Sequence, residues 1–335
     1  MMNVWELLLL PGLDDTLARV ETGLRQAVAS PEPLLAEVAS HLVGAGGKRL
    51  RPALLVAAAA ATGSEASGAV VDGAVSVELV HMGSLYHDDV IDEAGSRRGV
   101  TSANARWGNL VAILTGDFLL ARASEIAAGL GTQVVHVLAT TIGHLCEGEM
   151  SQLQYAFSLK RAEGSYFDSI SKKTASLMWA SARIGGLVAG AGADEVECLG
   201  RFGQAFGMAY QIYDDLRDLT CTDAELGKPA GNDILEGTYT LPVIRALADP
   251  ECGPDLAGLL VGNLGPPELD KARDIIISTG AVRSTLAEGR RWATESARAL
   301  QAMPSPVSSS PTAGDVHAVR KTLAGLADRL LDGLC

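Results

Sequence analysis

Proline is missing from Ala53 to Lys228, 176 consecutive residues in a chain of 335. Proline removes a helical donor and clashes with the preceding turn, so its absence permits long, uninterrupted helices. Strand-like alternation is scarce in the same stretch and alanine is abundant, a combination that favours helix. Long apolar runs are missing too. Leu7–Leu10 and Ala53–Ala61 are too short to span a bilayer or to form a signal core, which predicts a cytoplasmic protein. Cysteine is sparse: Cys146, Cys198, Cys221, Cys252 and Cys335 are odd in number and scattered, with no CxxC. That argues against a disulfide framework or a zinc site and fits a reducing compartment. Positive charge is in deficit, with 27 Lys and Arg against 40 Asp and Glu and a net charge of −13. Such a surface repels nucleic acid, so no nucleic-acid partner is expected.

What is present suits one large core, since 47% of the residues are hydrophobic. Glycines punctuate the proline-free stretch, at Gly95, Gly99, Gly129, Gly131, Gly164 and Gly192. The pattern predicts a single all-α domain over 1–335, of roughly ten helices, that includes an N-terminal segment 1–34. Beyond Pro229, the prolines at 242, 250, 254, 266 and 267 divide the chain into shorter helices. Pro304–Gly314 (PSPVSSSPTAG) is expected to be a mobile loop before one last amphipathic helix, Val316–Leu334.

Two acidic clusters carry chemistry. Asp88, Asp89 and Asp92 close a helical pattern that begins near Val70, and Asp214, Asp215 and Asp218 follow another, Arg201–Tyr213. In each, positions i and i+4 share a helix face with i+1 beside them. Carboxylates so close repel unless a proton or cation intervenes. Hard oxygen donors without thiols or paired histidines point to Mg²⁺. A solvated helix end explains one such cluster well, but it explains two less well. Mg²⁺ takes one or two carboxylates and fills its sphere with water and phosphate oxygens. Two carboxylate walls therefore suggest a diphosphate held between them, its departure eased by charge neutralisation.

Basic groups are local exceptions. Lys48, Arg49 and Arg51 sit between Gly46-Gly47 and Pro52, Arg97 and Arg98 between Gly95 and Gly99, and Lys172, Lys173 and Lys228 stand further on. Arginine forks suit phosphate oxygens, and lysine adds a point charge. For Arg49 and Lys172 alone, simple surface solubility is the better reading. His81 lies seven residues before Asp88 on the same face, a candidate ligand-binding group.

Together, GGKRLRP (46–52), ELVHMGSLYHDDVID (78–92), RRG (97–99), KTASL (173–177), GMAYQIYDDLRD (207–218) and GKPAGNDILEGTYTLP (227–242) resemble the trans-isoprenyl diphosphate synthases, or polyprenyl synthetases, over roughly residues 35 to 300. The resemblance implies an all-α bundle of the isoprenoid synthase type, a central cavity, and a homodimer. It implies Mg²⁺, three ions with substrate bound, on Asp88, Asp89, Asp92, Asp214, Asp215 and Asp218. Arg97, Lys173 and Lys228 would hold an allylic diphosphate. Lys48, Arg51, His81 and Arg98 would hold isopentenyl diphosphate. Gln211 and the backbone around Thr174 would face the developing allylic cation. One departure is Thr238, where the family often has lysine in EGKxTLP; its loss removes one potential diphosphate contact.

The growing chain should run down from Asp88, past Ser84 one turn below and then Val80 and Val77, with Gly83 leaving space beside Ser84. Tyr86, about 160° around the helix from Asp88, should point away. Nothing bulky stops elongation here, so a geranylgeranyl or longer product is expected, most like the bacterial long-chain synthases. Phe118, Leu119 or Leu120 of another helix could set the floor instead. Membrane contact would be peripheral at most, for product release. A class I terpene cyclase shares the aspartate motif but needs no isopentenyl site. A non-catalytic subunit of a heteromeric synthase would be expected to have lost carboxylates.

Overall fold

The computed structural model describes residues 8, 10–226, 230–262, 264–305 and 313–334. Helices α1 (Leu13–Ala27), α2 (Pro33–Gly44), α3 (Leu50–Ala60) and α4 (Gly68–Ile91) come first. A small hairpin of β1 (Ser96–Arg97) and β2 (Val100–Thr101) follows, then α5 (Ala103–Trp107), α6 (Asn109–Leu130), α7 (Thr132–Gln154) and α8 (Glu163–Ile170). A five-residue π-helical segment, Ser171–Ala175, leads into α9 (Ser176–Val188) and the long α10 (Ala193–Thr220). Helix α11 (Asp223–Leu226) lies just before Pro229, and the proline-rich remainder holds α12 (Asn232–Leu235), α13 (Leu241–Leu247), α14 (Gly253–Val261) and α15 (Pro266–Ser278). It ends in α16 (Ala281–Gln301), α17 (Ala313–Ala324) and α18 (Leu326–Asp332). The all-α expectation holds, and the helices after Pro229 are short until α15.

Helix α4 begins where Ser67 accepts from the Val70 amide at 3.3 Å, an N-cap that satisfies one orphan donor. It is apolar on nearly every side and packs against α1, α3, α6 and α9, so it is a central helix. Helix α10 packs on α9 and α16. With few aromatic residues, the core is built from leucine, valine and alanine, and small residues let helices approach closely. A second apolar cluster joins Leu219, Ile234, Tyr239, Leu256 and Ile276. A third, with Tyr166, Ile170, Met208, Ile212 and Leu216, lies beneath the second aspartate cluster.

Three expectations are corrected. The single helix expected over Val316–Leu334 is two, α17 and α18, broken at Gly325, where lost side-chain contacts and backbone entropy disfavour continuation. Of the loop expected at 304–314, residues 306–312 lie outside the described residues and Ala313 already opens α17. Cys146, Cys198 and Cys252 are free thiols, but Cys221 is disulfide-bonded, a pairing that depends on spatial proximity and that spacing along the chain does not reveal. The N-terminal segment 1–34 carries α1, which packs on α3 and α4. Among the described residues, no helix is long and apolar enough to cross a membrane.

Candidate active site

Helices α4 and α10 bring the two aspartate clusters to one cavity of about 280 Å³, lined by Asp88, Asp92, Asp214 and Asp215. Asp233 and Glu236 add to this acidic wall, while Arg97, Arg161 and Lys173 supply cations. The remaining two aspartates of the clusters are placed differently. Asp89 is fully buried and accepts from Arg97 Nε at 2.6 Å, leaving its Oδ2 without a hydrogen bond. Asp218 is buried too. Its Oδ2 accepts from the Asp233 amide at 3.1 Å and its carbonyl from the Gly231 amide at 2.7 Å. Neither lines the cavity: Asp89 fixes an arginine and Asp218 fixes the loop that carries Asp233.

Burial pushes the Asp88 carboxyl up from its usual 3.8 to about 6; Lys173 opposes this, while Glu149 and Asp92 add to it. Burial likewise raises Asp92, against the pull of Lys173. Asp215 is pushed up to about 7 by burial, against hydrogen bonds from Tyr166 (2.5 Å) and Gln211 Nε2 (2.7 Å). Gln211 Oε1 accepts in turn from Thr174 Oγ1 at 2.7 Å, so the Thr174 and Gln211 side chains form one network with Asp215. Carboxylates held at such cost are groups that a cation or proton would relieve.

Lys173 and Thr174 sit in the π-helical segment, an irregularity common at functional sites. Two glycines clamp it. A Cβ on Gly148 of α7 would lie 2.8 Å from the Lys173 nitrogen, and one on Gly207 of α10 would lie 2.5 Å from the Ala175 Cα. Lys173 Nζ pairs with Glu149 Oε2 at 2.6 Å. Burial works to lower the Lys173 pKa, but Glu149, Asp88 and Asp92 outweigh it and keep the ammonium charged.

The second basic group gathers beside the first. In the β-hairpin, Arg98 and Gly99 form the turn with φ of 52° and 78°, left-handed values suited to a tight two-residue turn. The turn sends Arg97 to Asp89 and Arg98 Nη1 to the Gly46 carbonyl, joining the RRG and GGKRLRP loops. Arg49, expected as a solubilising surface group, is instead buried. It donates to Glu78 at 2.8 Å and to Glu21, because its left-handed backbone (φ 44°) turns it inward. Lys172 does sit at the surface, paired with Glu147 and Asp168. Arg51 Nε is buried without a partner, and Lys48 is half-buried. Burial, then the charges of Arg51, Arg98, Arg49 and Arg97, drive the His81 pKa well down, so its imidazole is neutral. Lys228 lies outside the described residues.

On the chain-length face, Ser84 is half-buried, with Oγ donating to its own helix at His81 O (2.9 Å), and Val80 and Val77 are fully buried. Gly83 does not open space beside Ser84. A Cβ there would meet the Gly116 carbonyl at 3.1 Å and Leu120 at 3.2 Å, so its missing side chain admits α6. Tyr86 points away, donating to Val38 O of α2.

Sequence reading missed Glu78, Glu149, Arg161, Tyr166, Asp233 and Glu236. Glu78 had a signal: a lone carboxylate inside an apolar helix must find a partner. Glu149, Arg161 and Tyr166 lie far along the chain from the aspartate clusters, as do Asp233 and Glu236 on α12 and its C-cap, so no short spacing ties them to the clusters.

Among the described residues, the cavity's metal-ligating groups are carboxylate, amide and hydroxyl oxygens, a set that suits a hard divalent ion. Among the described residues, no three His, Cys, Asp or Glu side chains form a ready metal cage, so phosphate oxygens and water would have to complete the coordination of any ion held there.

An all-α cavity with facing carboxylate walls, a lysine beside the Asp88–Asp92 wall and a second basic patch defines a prenyl-diphosphate transferase of the isoprenoid synthase fold. The polyprenyl synthetase family profile matches residues 32–263, and the chain belongs to that family. It is 42% identical over 298 residues to heptaprenyl diphosphate synthase component 2 of Geobacillus stearothermophilus (87% of this chain, 91% of the relative). It is 40% identical over 254 residues to nonaprenyl diphosphate synthase of Mycobacterium tuberculosis (76% and 75%). A polyprenyl synthase from Caulobacter crescentus, solved with calcium and isoprenyl diphosphate, superposes with a TM-score of 0.88 at 31% identity, covering 99% and 98%. The chain is thus a polyprenyl diphosphate synthase, an enzyme of prenyl-chain condensation.

Proposed function

We propose that this chain is a Mg²⁺-dependent trans-prenyltransferase. It adds isopentenyl diphosphate head-to-tail to an allylic diphosphate, giving a product of geranylgeranyl length or longer, with a long chain favoured. The observation that carries this reading is the pair of carboxylate walls facing one cavity, with Lys173 and Arg97 on it and a separate arginine–histidine patch beside it.

Asp88 and Asp92 on one wall and Asp214 and Asp215 on the other would hold Mg²⁺. The bound ions supply charge neutralisation of the diphosphate, which makes it a leaving group. Lys173 and Arg97 hold the allylic diphosphate while its C1–O bond breaks and the electron pair leaves with the diphosphate. Gln211 and Thr174 face the allylic cation with oxygen lone pairs. Arg51, Arg98, Lys48 and neutral His81 hold isopentenyl diphosphate so that its double bond attacks C1. The proton then lost passes to the released diphosphate, and no side-chain base is required.

The whole chain is proposed as one cytoplasmic domain working as a homodimer, touching membranes only peripherally. Leu110 and Leu114 of α6, 79% and 64% exposed, favour pairing of two copies. The Geobacillus relative is named a component, which raises a heteromeric alternative. The complete carboxylate clusters favour this chain as the catalytic partner in either case. The test is to incubate the purified chain alone with isopentenyl diphosphate, allylic diphosphates of graded length and Mg²⁺, then to size the products. Linear products that disappear with EDTA are expected. A cyclic hydrocarbon formed without isopentenyl consumption would overturn the synthase reading, and activity only on adding a second protein would overturn the homodimer.

A further inference from the structure

Among the described residues, three cations line the cavity, and they are in different states. Arg97 pairs with Asp89 at 2.6 Å and Lys173 with Glu149 at 2.6 Å, so each already has a carboxylate. Arg161 has none within ion-pairing distance among the described residues. It precedes α8 and is only 6% exposed. Nη1 donates to the Tyr239 carbonyl at 3.1 Å, and the guanidinium lies 5.7 Å from the Tyr166 ring. Its Nε is buried and without a partner. Guanidinium has five N–H donors, and a buried one short of acceptors and counter-charge is costly. The hydroxyls of Thr238 and Thr240, either side of the Tyr239 that anchors it, line the same cavity.

We propose that Arg161 is a further anion contact of this cavity, donating from Nε and its remaining N–H groups to a diphosphate oxygen from the wall that carries Asp214 and Asp215. This inference rests on the prenyl-diphosphate reading of the cavity. The Tyr239 carbonyl holds the fork in place, so little side-chain freedom is lost when the anion arrives. Much of the desolvation of the guanidinium is already met in the fold, and a charge-assisted bond to the anion would offset it. Arg161 thereby acts in binding, on the opposite wall from Lys173.

The bland alternative is that Arg161 only steadies Asp215, whose charge it faces. The two separate by experiment. Binding of inorganic pyrophosphate with Mg²⁺ is measured by calorimetry for the full chain and for R161Q. As an anion contact, R161Q weakens pyrophosphate by about tenfold or more, the range for hydrogen bonds to charged groups. The deficit persists at saturating Mg²⁺, and the KM for the allylic diphosphate rises in parallel while that for isopentenyl diphosphate stays within about twofold. R161K, which keeps the charge but loses the fork, should fall between the two, and it carries the test if R161Q does not fold.

Unchanged pyrophosphate affinity, no pyrophosphate binding by the parent chain, or a deficit erased by excess Mg²⁺ would each overturn the proposal. Failure of the wild-type chain to consume isopentenyl diphosphate would instead sink the functional reading, and the pyrophosphate result would stand apart from it.

Discussion

Asp88→Asn should make the metal-free protein more stable at alkaline pH while abolishing turnover. Burial and the Glu149 and Asp92 carboxylates hold Asp88 near 6, against 3.8 ordinarily, and that net value already includes the help of Lys173. A folded pKa above the unfolded one means the folded state binds the extra proton. The stability it contributes is full below about pH 4 and is lost as pH rises through about 6. A displacement of about two pH units, at 1.36 kcal/mol each, sets a ceiling of about 3 kcal/mol. Solvent at the cavity mouth screens part of the charge, so about 1–3 kcal/mol is expected. Asparagine mimics the protonated acid at every pH. The measurement is urea unfolding of both proteins in EDTA at pH 4 and pH 8. Near-equal stability at pH 4 and a gain for the variant at pH 8 are expected, with turnover lost under Mg²⁺. Equal stability at pH 8, or a variant less stable there than the parent, would refute the assignment of a strained carboxylate.

Three further outcomes follow from packing. Gly207→Ala puts a methyl 2.5 Å from Ala175 Cα, so it should push α10 off the π-helical segment, lower stability by about 1–3 kcal/mol and impair turnover; parental stability and rate would refute the clamp. Glu78→Gln removes the carboxylate that Arg49 meets at 2.8 Å and that lies near Arg98, and a loss of about 3–5 kcal/mol is expected in denaturant unfolding; under 1 kcal/mol would show that the arginines re-pair. Ser84→Phe should shorten the product on chromatographic sizing, and an unchanged length would place the floor on another helix such as α6, whose Leu120 would lie 3.2 Å from a Cβ on Gly83.

Much of the site was readable because its chemistry is written in short spacing. Asp88 and Asp92, four residues apart, share a helix face whatever else the chain does, and Asp214 and Asp215 are neighbours on the last turns of α10. Gln211 and Thr174 were singled out separately by motif resemblance, and the 2.7 Å hydrogen bond between their side chains is a finding of the structure. Arg49 was misread because a cation in a loop is usually solvated, and only a left-handed backbone with two glutamates from α1 and α4 takes it inside. Gly83 was misread for a related reason: a missing side chain marks room, but the occupant of that room belongs to another helix.

The sequence by itself determined the helical class, since proline absence and apolar periodicity act within a few residues of chain. It also determined the paired carboxylates and the hard-cation chemistry they suit. Only the tertiary structure decided which carboxylates face the cavity. Asp89 and Asp218 have the same composition and spacing as their neighbours, yet they are turned into the protein to hold Arg97 and the Asp233 loop. Only packing, too, placed Arg161, Tyr166 and Glu149 around Asp88 and Asp215. These pairings join residues 49 to 61 positions apart, with Arg161 anchored to Tyr239 78 positions away. Long-range neighbours of this kind depend on how the helices stack, which a local reading of the chain does not contain.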